Sequence, residues 1–313
     1  MPYRLRVPMW FFSVWLIGLL GAPGLSPTPV SRAQTRPNLV GILISQEIRP
    51  FIQMVEGLEG HLALPACRIF LDEKETPYSQ DPRFEVLEPD RFAAIVAVGP
   101  RALSFLIERK WSPPILYGMV LNPERFAVKG EPLCGVSLNL DPLDQFYLVH
   151  VTFPGVKRVG VLYDPANNQE WFDSARASAE SNQISLIPLE VSDRSDLTSV
   201  LRDRRMDVDA ILFIPDSTVI SRAIIQHLIK EAVLLGIPAV GYNRFFYESG
   251  AALSFVVDYR SVGERVAALV KAVTGGETCK SSGPKFKAVL HRGVVRTIGL
   301  KLGTDLPAEV EEN

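Results

Sequence analysis

Asp209-Ala210-Ile211-Leu212-Phe213-Ile214-Pro215-Asp216-Ser217-Thr218 opens the stretch that decides how this chain folds. Residues 210–214 form an apolar run of buried-strand length, closed by the polar loop 215–218, and 219–235 then repeat their apolar residues at helical spacing. The alternation continues through Ile237-Pro238-Ala239-Val240-Gly241-Tyr242, a polar and aromatic loop over 243–250, and a strand over 251–257 that ends in Asp258-Tyr259. A helix over 262–274 is stopped by Gly275-Gly276. Helices that link parallel strands place the polar loops along one rim of a sheet, and ligands of open α/β sheets sit outside the carboxyl ends of the strands. Functional residues are therefore expected in the loops that come after strands.

Upstream, strands are expected over 39–44, 67–71, 92–98, 115–120 and 133–138, with helices after the first and third and an irregular or loosely helical, proline-containing segment over 72–89. A helix carrying Leu143, Phe146, Tyr147 and His150 runs to Pro154-Gly155, and the pattern restarts. It continues with a strand over 158–163, a loop over 163–168, a helix over 171–181, a strand over 184–191 and a helix over 197–204. The tail 285–306 reads as a strand, a turn and a short helix. Two sets of parallel units imply an α/β protein of two Rossmann-like lobes with a cleft between them. The expected lobes are 34–140 with 259–283, and 141–258 with 284–313. Three chain crossings would then form a three-strand hinge, an arrangement suited to closure on a small ligand.

Arg4 and Arg6 precede the apolar segment 9–20, and Pro23-Gly24 leads to Ser31-Arg32-Ala33. A basic start, a short apolar core and small residues before a cut describe a secretory signal peptide over 1–33. The apolar core is shorter than the roughly twenty residues of a membrane span. The alternative is an uncleaved anchor, and the destination in either case is periplasmic or extracytoplasmic. Removal of the leader takes Arg4, Arg6 and Arg32 from a chain of net charge −2, which leaves no basic stripe for nucleic acid. With 47% hydrophobic and 22% charged residues, the rest can bury large cores. Cys67, Cys134 and Cys279 have no metal-like spacing, and the sequence does not choose a pair among them. An oxidising compartment would permit one disulfide among them and leave one free thiol; otherwise they read as buried or unpaired thiols, and they do not look like a staple on which the fold depends.

No G-x-S-x-G elbow or P-loop appears, and His61, His150, His227 and His291 are scattered. No catalytic residue, metal ligand or cofactor is assigned. The candidate ligand-binding residues lie at or after strand ends: Ser45, Gln46, Gly99, Arg101, Asn122, Asn139, Tyr163, Asn167, Asp216, Ser217, Tyr242 and Asp258. The asparagines offer donors and acceptors but also favour turns. Tyr163 and Tyr242 offer rings for stacking. Arg101, near a helix start, offers a bidentate clamp for an anion. Asp216 is either a ligand contact or a helix cap, since both roles use its oxygens.

Several segments in this order resemble a known family: Met119-Val120-Leu121-Asn122-Pro123, Gly135-Val136-Ser137, residues 154–163, Ile214-Pro215-Asp216-Ser217-Thr218-Val219, Gly250-Ala251-Ala252-Leu253, Val257-Asp258-Tyr259 and Ile298-Gly299-Leu300. Over 39–307 the chain resembles solute-binding proteins of ABC-type importers, in the group that includes tryptophan-binding members and is built on the type I periplasmic-binding fold. The resemblance implies a monomer that holds a small-molecule solute, polar or zwitterionic and amino acids among them, between its lobes. It also implies an inner-membrane ABC permease as partner, and Asp216 placed to receive an ammonium or hydroxyl group. Similar members carry Gly-Thr where this chain has Gly99-Pro100-Arg101, so a guanidinium replaces a hydroxyl. The alternative role for the same cleft is an extracytoplasmic sensor that signals to a receptor. An α/β enzyme is the third reading, without visible machinery.

Overall fold

The computed structural model describes residues 38–81, 89–127, 133–219 and 221–312. The leader expected over 1–33 lies outside them. Among the described residues no helix is long and apolar enough to cross a membrane.

The first sheet begins with β1 (Leu39–Ile44), α1 (Arg49–Glu59), β2 (Ala66–Leu71) and β3 (Pro77–Tyr78). It continues with β4 (Phe92–Val98), α2 (Pro100–Glu108), β5 (Ile115–Val120) and β6 (Cys134–Ser137). Its order is β3-β2-β1-β4-β5-β6, and only β3 runs antiparallel to its neighbour. β1 sits between β2 and β4, with Leu43 opposite Ile69 on one side and Ala97 on the other. Strands covered on both faces need apolar residues at every position, which explains why β1 and β4 read as unbroken apolar runs.

The chain then enters the second sheet through α3 (Pro142–Thr152), β7 (Arg158–Tyr163), α4 (Pro165–Ser181), β8 (Ser185–Glu190), α5 (Leu197–Asp203) and β9 (Ala210–Phe213). α6 (Arg222–Leu234), β10 (Ala239–Gly241), α7 (Arg244–Glu248), β11 (Leu253–Val257) and α8 (Tyr259–Thr274) come next, then β12 (Phe286–Leu290), α9 (Arg292–Thr297) and β13 (Val310–Glu312). The order is β13-β12-β11-β10-β9-β7-β8, with β12 antiparallel to β11 and the other pairs parallel.

Between β6 and α3 the chain passes from the first sheet to the second. It returns at Asp258, because α8 packs its Val262, Val266 and Val270 into the core beneath β1 and β4. It passes back once more before β12, after Ser282 has bonded Gly135 and Ser137 alongside β6. Next to that last passage, Cys134 and Cys279 form a disulfide with their Cα atoms 6.0 Å apart. Of the two readings open for the cysteines, one disulfide holds, and the reading of unpaired thiols that do not staple the fold is overturned. Residues 145 positions apart become neighbours only through the sheet, which no local pattern announces.

α8 lies against α1 on two glycines. A Cβ on Gly57 would stand 2.2 Å from the Arg260 carbonyl oxygen, and one on Gly263 would stand 2.0 Å from that of Met54. The obstacle is backbone, so neither helix can yield without moving as a whole. Gly263→Ala is expected to lower stability by about 1–3 kcal/mol through overpacking, read as a fall in melting temperature; an unchanged melting temperature would contradict this contact.

In four places the structure departs locally from the sequence reading, the first being β3, which forms inside the segment 72–89 and pairs with β2. α4 starts at Pro165, inside the expected loop, because the Asp164 side chain accepts from the Ala166 amide at 2.9 Å and Pro suits the first helical turn. Its early turn is kinked at Asn168 (φ −136°, ψ 18°). The expected loop over 243–250 contains α7, capped by Asn243 accepting from the Phe245 amide at 3.0 Å. The tail adds β13, which pairs with β12.

Candidate functional site

At the carboxyl end of β5, Met119 takes a left-handed backbone (φ 60°) and the register with β6 shifts between Gly118 and Val120. Such a bulge re-aims the residues after it, here Leu121 and Asn122. Asn122 is also left-handed (φ 48°), a conformation asparagine tolerates better than most residues, and its amide donates to Asn139 Oδ1 at 2.9 Å. Asn139 lies just past β6, where the chain leaves the first sheet. Asp141 then caps α3 by accepting from the Leu143 amide, and Gln145 lies one turn in.

The second sheet contributes its own strand ends. Past β9, Asp216 is only 1% exposed, and four donors fill its carboxylate. Oδ2 accepts from the Asp164 amide at 2.9 Å and Asn168 Nδ2 at 2.7 Å, and Oδ1 accepts from the amides of Thr218 at 2.8 Å and Val219 at 3.3 Å. Asp216 thereby binds the loop after β9 to the start of α4 and fixes the Asn168 carboxamide. Tyr242 and Asn243 come after β10, and Tyr259 after β11.

These ends meet around a cavity of about 330 Å³. Asn122 and Asn139 line it from the first sheet, and Gln145 of α3 with Asn168, Trp171, Tyr242 and Asn243 from the second, with Leu140, Ile214 and Val257 supplying apolar wall. An adjoining cavity shares Asn122, Asn139, Asn168 and Trp171 and adds Arg125 and Asn167. There Arg125 Nη2 donates to the Asn167 carbonyl at 2.8 Å, joining the loop after β5 to α4.

Of the residues singled out from sequence, Asn122, Asn139 and Tyr242 line the main cavity, and Asn167 lines the adjoining one. Asp216 stands directly behind the lining residues Pro215 and Asn168. Ser217 gives its carbonyl to Arg194, and Asp258 caps α8 by accepting from the Arg260 and Ser261 amides. Tyr163 is 0% exposed, with its ring stacked on Phe172 and its hydroxyl on Gln169, so it has no face to offer a ligand. Ser45, Gly99 and Arg101 gather elsewhere, at the ends of β1 and β4. Ser45 Oγ accepts from the Ala102 amide at 2.8 Å, and a Cβ on Gly99 would meet Phe51 at 2.6 Å. Arg101 is engaged internally, donating to the carbonyls of Ser45 and Asp72 and pairing with Glu75. Gln46 is exposed beside them. Neither Gln46 nor Arg101 lines the main cavity.

Sequence reasoning passes over Gln145, Asn168, Trp171 and Asn243. Gln145 shares the buried face of α3 with Val149 and Thr152, and a glutamine at such spacing is the one signal that points to it. Asn168 and Trp171 are hidden by the early start of α4.

Among the described residues, the lining carries no carboxylate, ammonium, guanidinium or imidazole. Its ionisable groups are two phenols. Burial, and after it the nearby Asp216 charge, pushes Tyr242 up to about 12, and burial raises Tyr259. Both stay neutral through the physiological range. The affinity of this cavity for an uncharged probe is expected to be flat between about pH 6 and 9, measured by calorimetry, whereas a bell-shaped profile would require an ionisable contact.

The comparisons with known proteins agree with this architecture. No curated protein matches the sequence. Among solved structures, a conserved domain protein from Vibrio cholerae is 19% identical, with TM-score 0.62 over 88% of this chain and 99% of its own. An ABC domain in complex with L-Trp from Streptococcus pneumonia is 16% identical, with TM-score 0.60 over 87% of this chain and 99% of its own. A ligand-free, open substrate-binding protein with adhesive properties from Clostridium difficile is 15% identical, with TM-score 0.68 over 88% of this chain and 99% of its own. The two-sheet α/β fold of type I periplasmic binding proteins is thus shared, although each sheet here includes an antiparallel pair. The family model described as ABC transporter substrate binding protein matches residues 112–307, and with more than half of its length inside that match the chain belongs to the ABC transporter substrate-binding protein family.

Proposed function

We propose that this chain is the exported solute-binding component of an ABC-type importer, which closes around a small polar or zwitterionic solute and presents the closed form to a membrane permease. The observation that carries the reading is the cavity itself, which is lined by strand ends of both sheets, so that a bound solute touches both at once. Contacts made on both sides exist only when the cleft is shut, and a ligand shifts a two-state equilibrium by its differential affinity for the two states. The bodies that move are 34–140 with 259–283 against 141–258 with 284–313, and the three passages between the sheets are the hinge. Asn122, Asn139 and Tyr242 contact the solute from opposite sides, and Asn167 stands at the entrance. The protein works as a monomer.

Membership of a solute-binding family supports a role in binding rather than catalysis. The Cys134–Cys279 disulfide supports export, since such bonds persist in oxidising compartments. Differential scanning fluorimetry of the mature chain against amino acids, nucleosides and small organic acids is the test. Saturation at a hundredfold excess over Kd adds about 2.7 kcal/mol and raises the melting temperature by several degrees. No shift from any compound, with the protein shown to be folded, would overturn the reading.

A further inference from the structure

Among the described residues the cavity offers five carboxamides, Asn122, Asn139, Gln145, Asn168 and Asn243, and no full charge. Three of them already spend half of their capacity inside the protein. Asn139 Oδ1 accepts from Asn122, Asn243 Oδ1 accepts from Phe245, and Asn168 Nδ2 donates to Asp216. What remains open is a donor on Asn139, a donor on Asn243 and an acceptor on Asn168. Gln145 is different. It is 4% exposed, lines the cavity and makes no side-chain hydrogen bond among the described residues. Its polar atoms open onto the cavity instead of being sealed in, so a solute that displaces water there must match its donors and its acceptor or lose those hydrogen bonds. Its partner is expected to arrive from the cavity.

The surroundings select against an anion. Three helices that start beside the cavity have their positive ends filled by the chain's own carboxylates, Asp141 on α3, Asp164 on α4 and Asp258 on α8, while the short α7 is capped by the neutral Asn243. Asp216 lies behind the wall formed by Pro215 and Asn168. Arg125 lines the adjoining cavity beside Glu124 and Glu170, and one of its N–H groups is given to the Asn167 carbonyl. Trp171, Tyr242 and Tyr259 add flat apolar surface, which suits a ring.

We infer that the cavity takes an uncharged planar heterocycle with an amide-type donor–acceptor edge, a nucleobase or its nucleoside, paired through that edge to the Gln145 carboxamide. Side-chain amides read such edges bidentately, donor to acceptor and acceptor to donor. This rests on the cleft being a solute site, as proposed above, and narrows it to one chemical class.

Isothermal titration calorimetry of the mature chain with adenine, uracil, adenosine and uridine, set against L-tryptophan and nicotinate, tests it. At least one neutral heterocycle is expected to bind at least tenfold more tightly than either charged probe. Gln145→Met, which keeps the shape and removes both hydrogen-bonding functions, is expected to weaken that binding at least tenfold with the ligand-free melting temperature unchanged. L-tryptophan or nicotinate binding as tightly as the heterocycles, or Gln145→Met binding like the parent, would overturn this inference and leave the solute-binding reading standing. Silence from every probe together with no small molecule carried through native purification would overturn both. If Gln145→Met does not fold, the selectivity of the parent chain decides alone.

Discussion

Replacing Asp216 by alanine is expected to cost about 3–5 kcal/mol of stability and to weaken solute binding at the same time, because a broken buried network is among the few causes of losses this large. The carboxylate is buried and accepts from the Asp164, Thr218 and Val219 amides and the Asn168 carboxamide. A hydrogen bond to a charged group contributes about 1.5–3 kcal/mol, and donors left buried without an acceptor add their own desolvation cost. The contributions are not additive, which keeps the total near the stated range. Solute binding suffers because Asn168 loses its anchor and the kinked start of α4 loses its tie to β9. A residue that only touched the ligand would behave otherwise, with affinity lost at an unchanged melting temperature. Chemical denaturation and calorimetry on the same Asp216→Ala sample separate the two, and loss of affinity at full stability would return Asp216 to direct contact.

Breaking the Cys134–Cys279 disulfide is the second large expectation. The bond closes a loop of 145 positions, and the chain-entropy account gives about 5 kcal/mol for a loop that long. Native strain and residual structure in the unfolded chain usually reduce the benefit, so a loss of about 2–5 kcal/mol is expected for the paired Cys134→Ser, Cys279→Ser variant. The bond joins β6, where the chain leaves the first sheet, to the segment through which it returns to the second, and Ser282 bonds Gly135 and Ser137 beside it. Its removal should therefore also loosen the passages between the sheets. Equal denaturation midpoints for parent and variant would show that the bond adds nothing.

What the sequence disclosed depends on which contacts are local. β1, β4 and β9 are legible because strands buried on both faces must be apolar throughout. Asn122, Asn139 and Tyr242 are legible as rim residues because parallel sheets collect their functional loops at the carboxyl ends of the strands. Arg101 and Ser45 satisfy that same rule, yet their groups are taken up by the first sheet's own loops. Gln145 and Trp171 are not legible. Each lies on a helix whose buried face is completed by residues far away in the chain, and periodicity reports the face without saying what it meets. The cysteine pairing is hidden for the same reason.

The measurement closest to the central claim is native mass spectrometry of the purified mature chain, with identification of whatever it releases on denaturation. The account predicts one small, uncharged solute per chain, retained by the parent and lost from the Gln145→Met variant. A folded parent that releases nothing, and takes up none of the tested solutes when they are supplied, would contradict it.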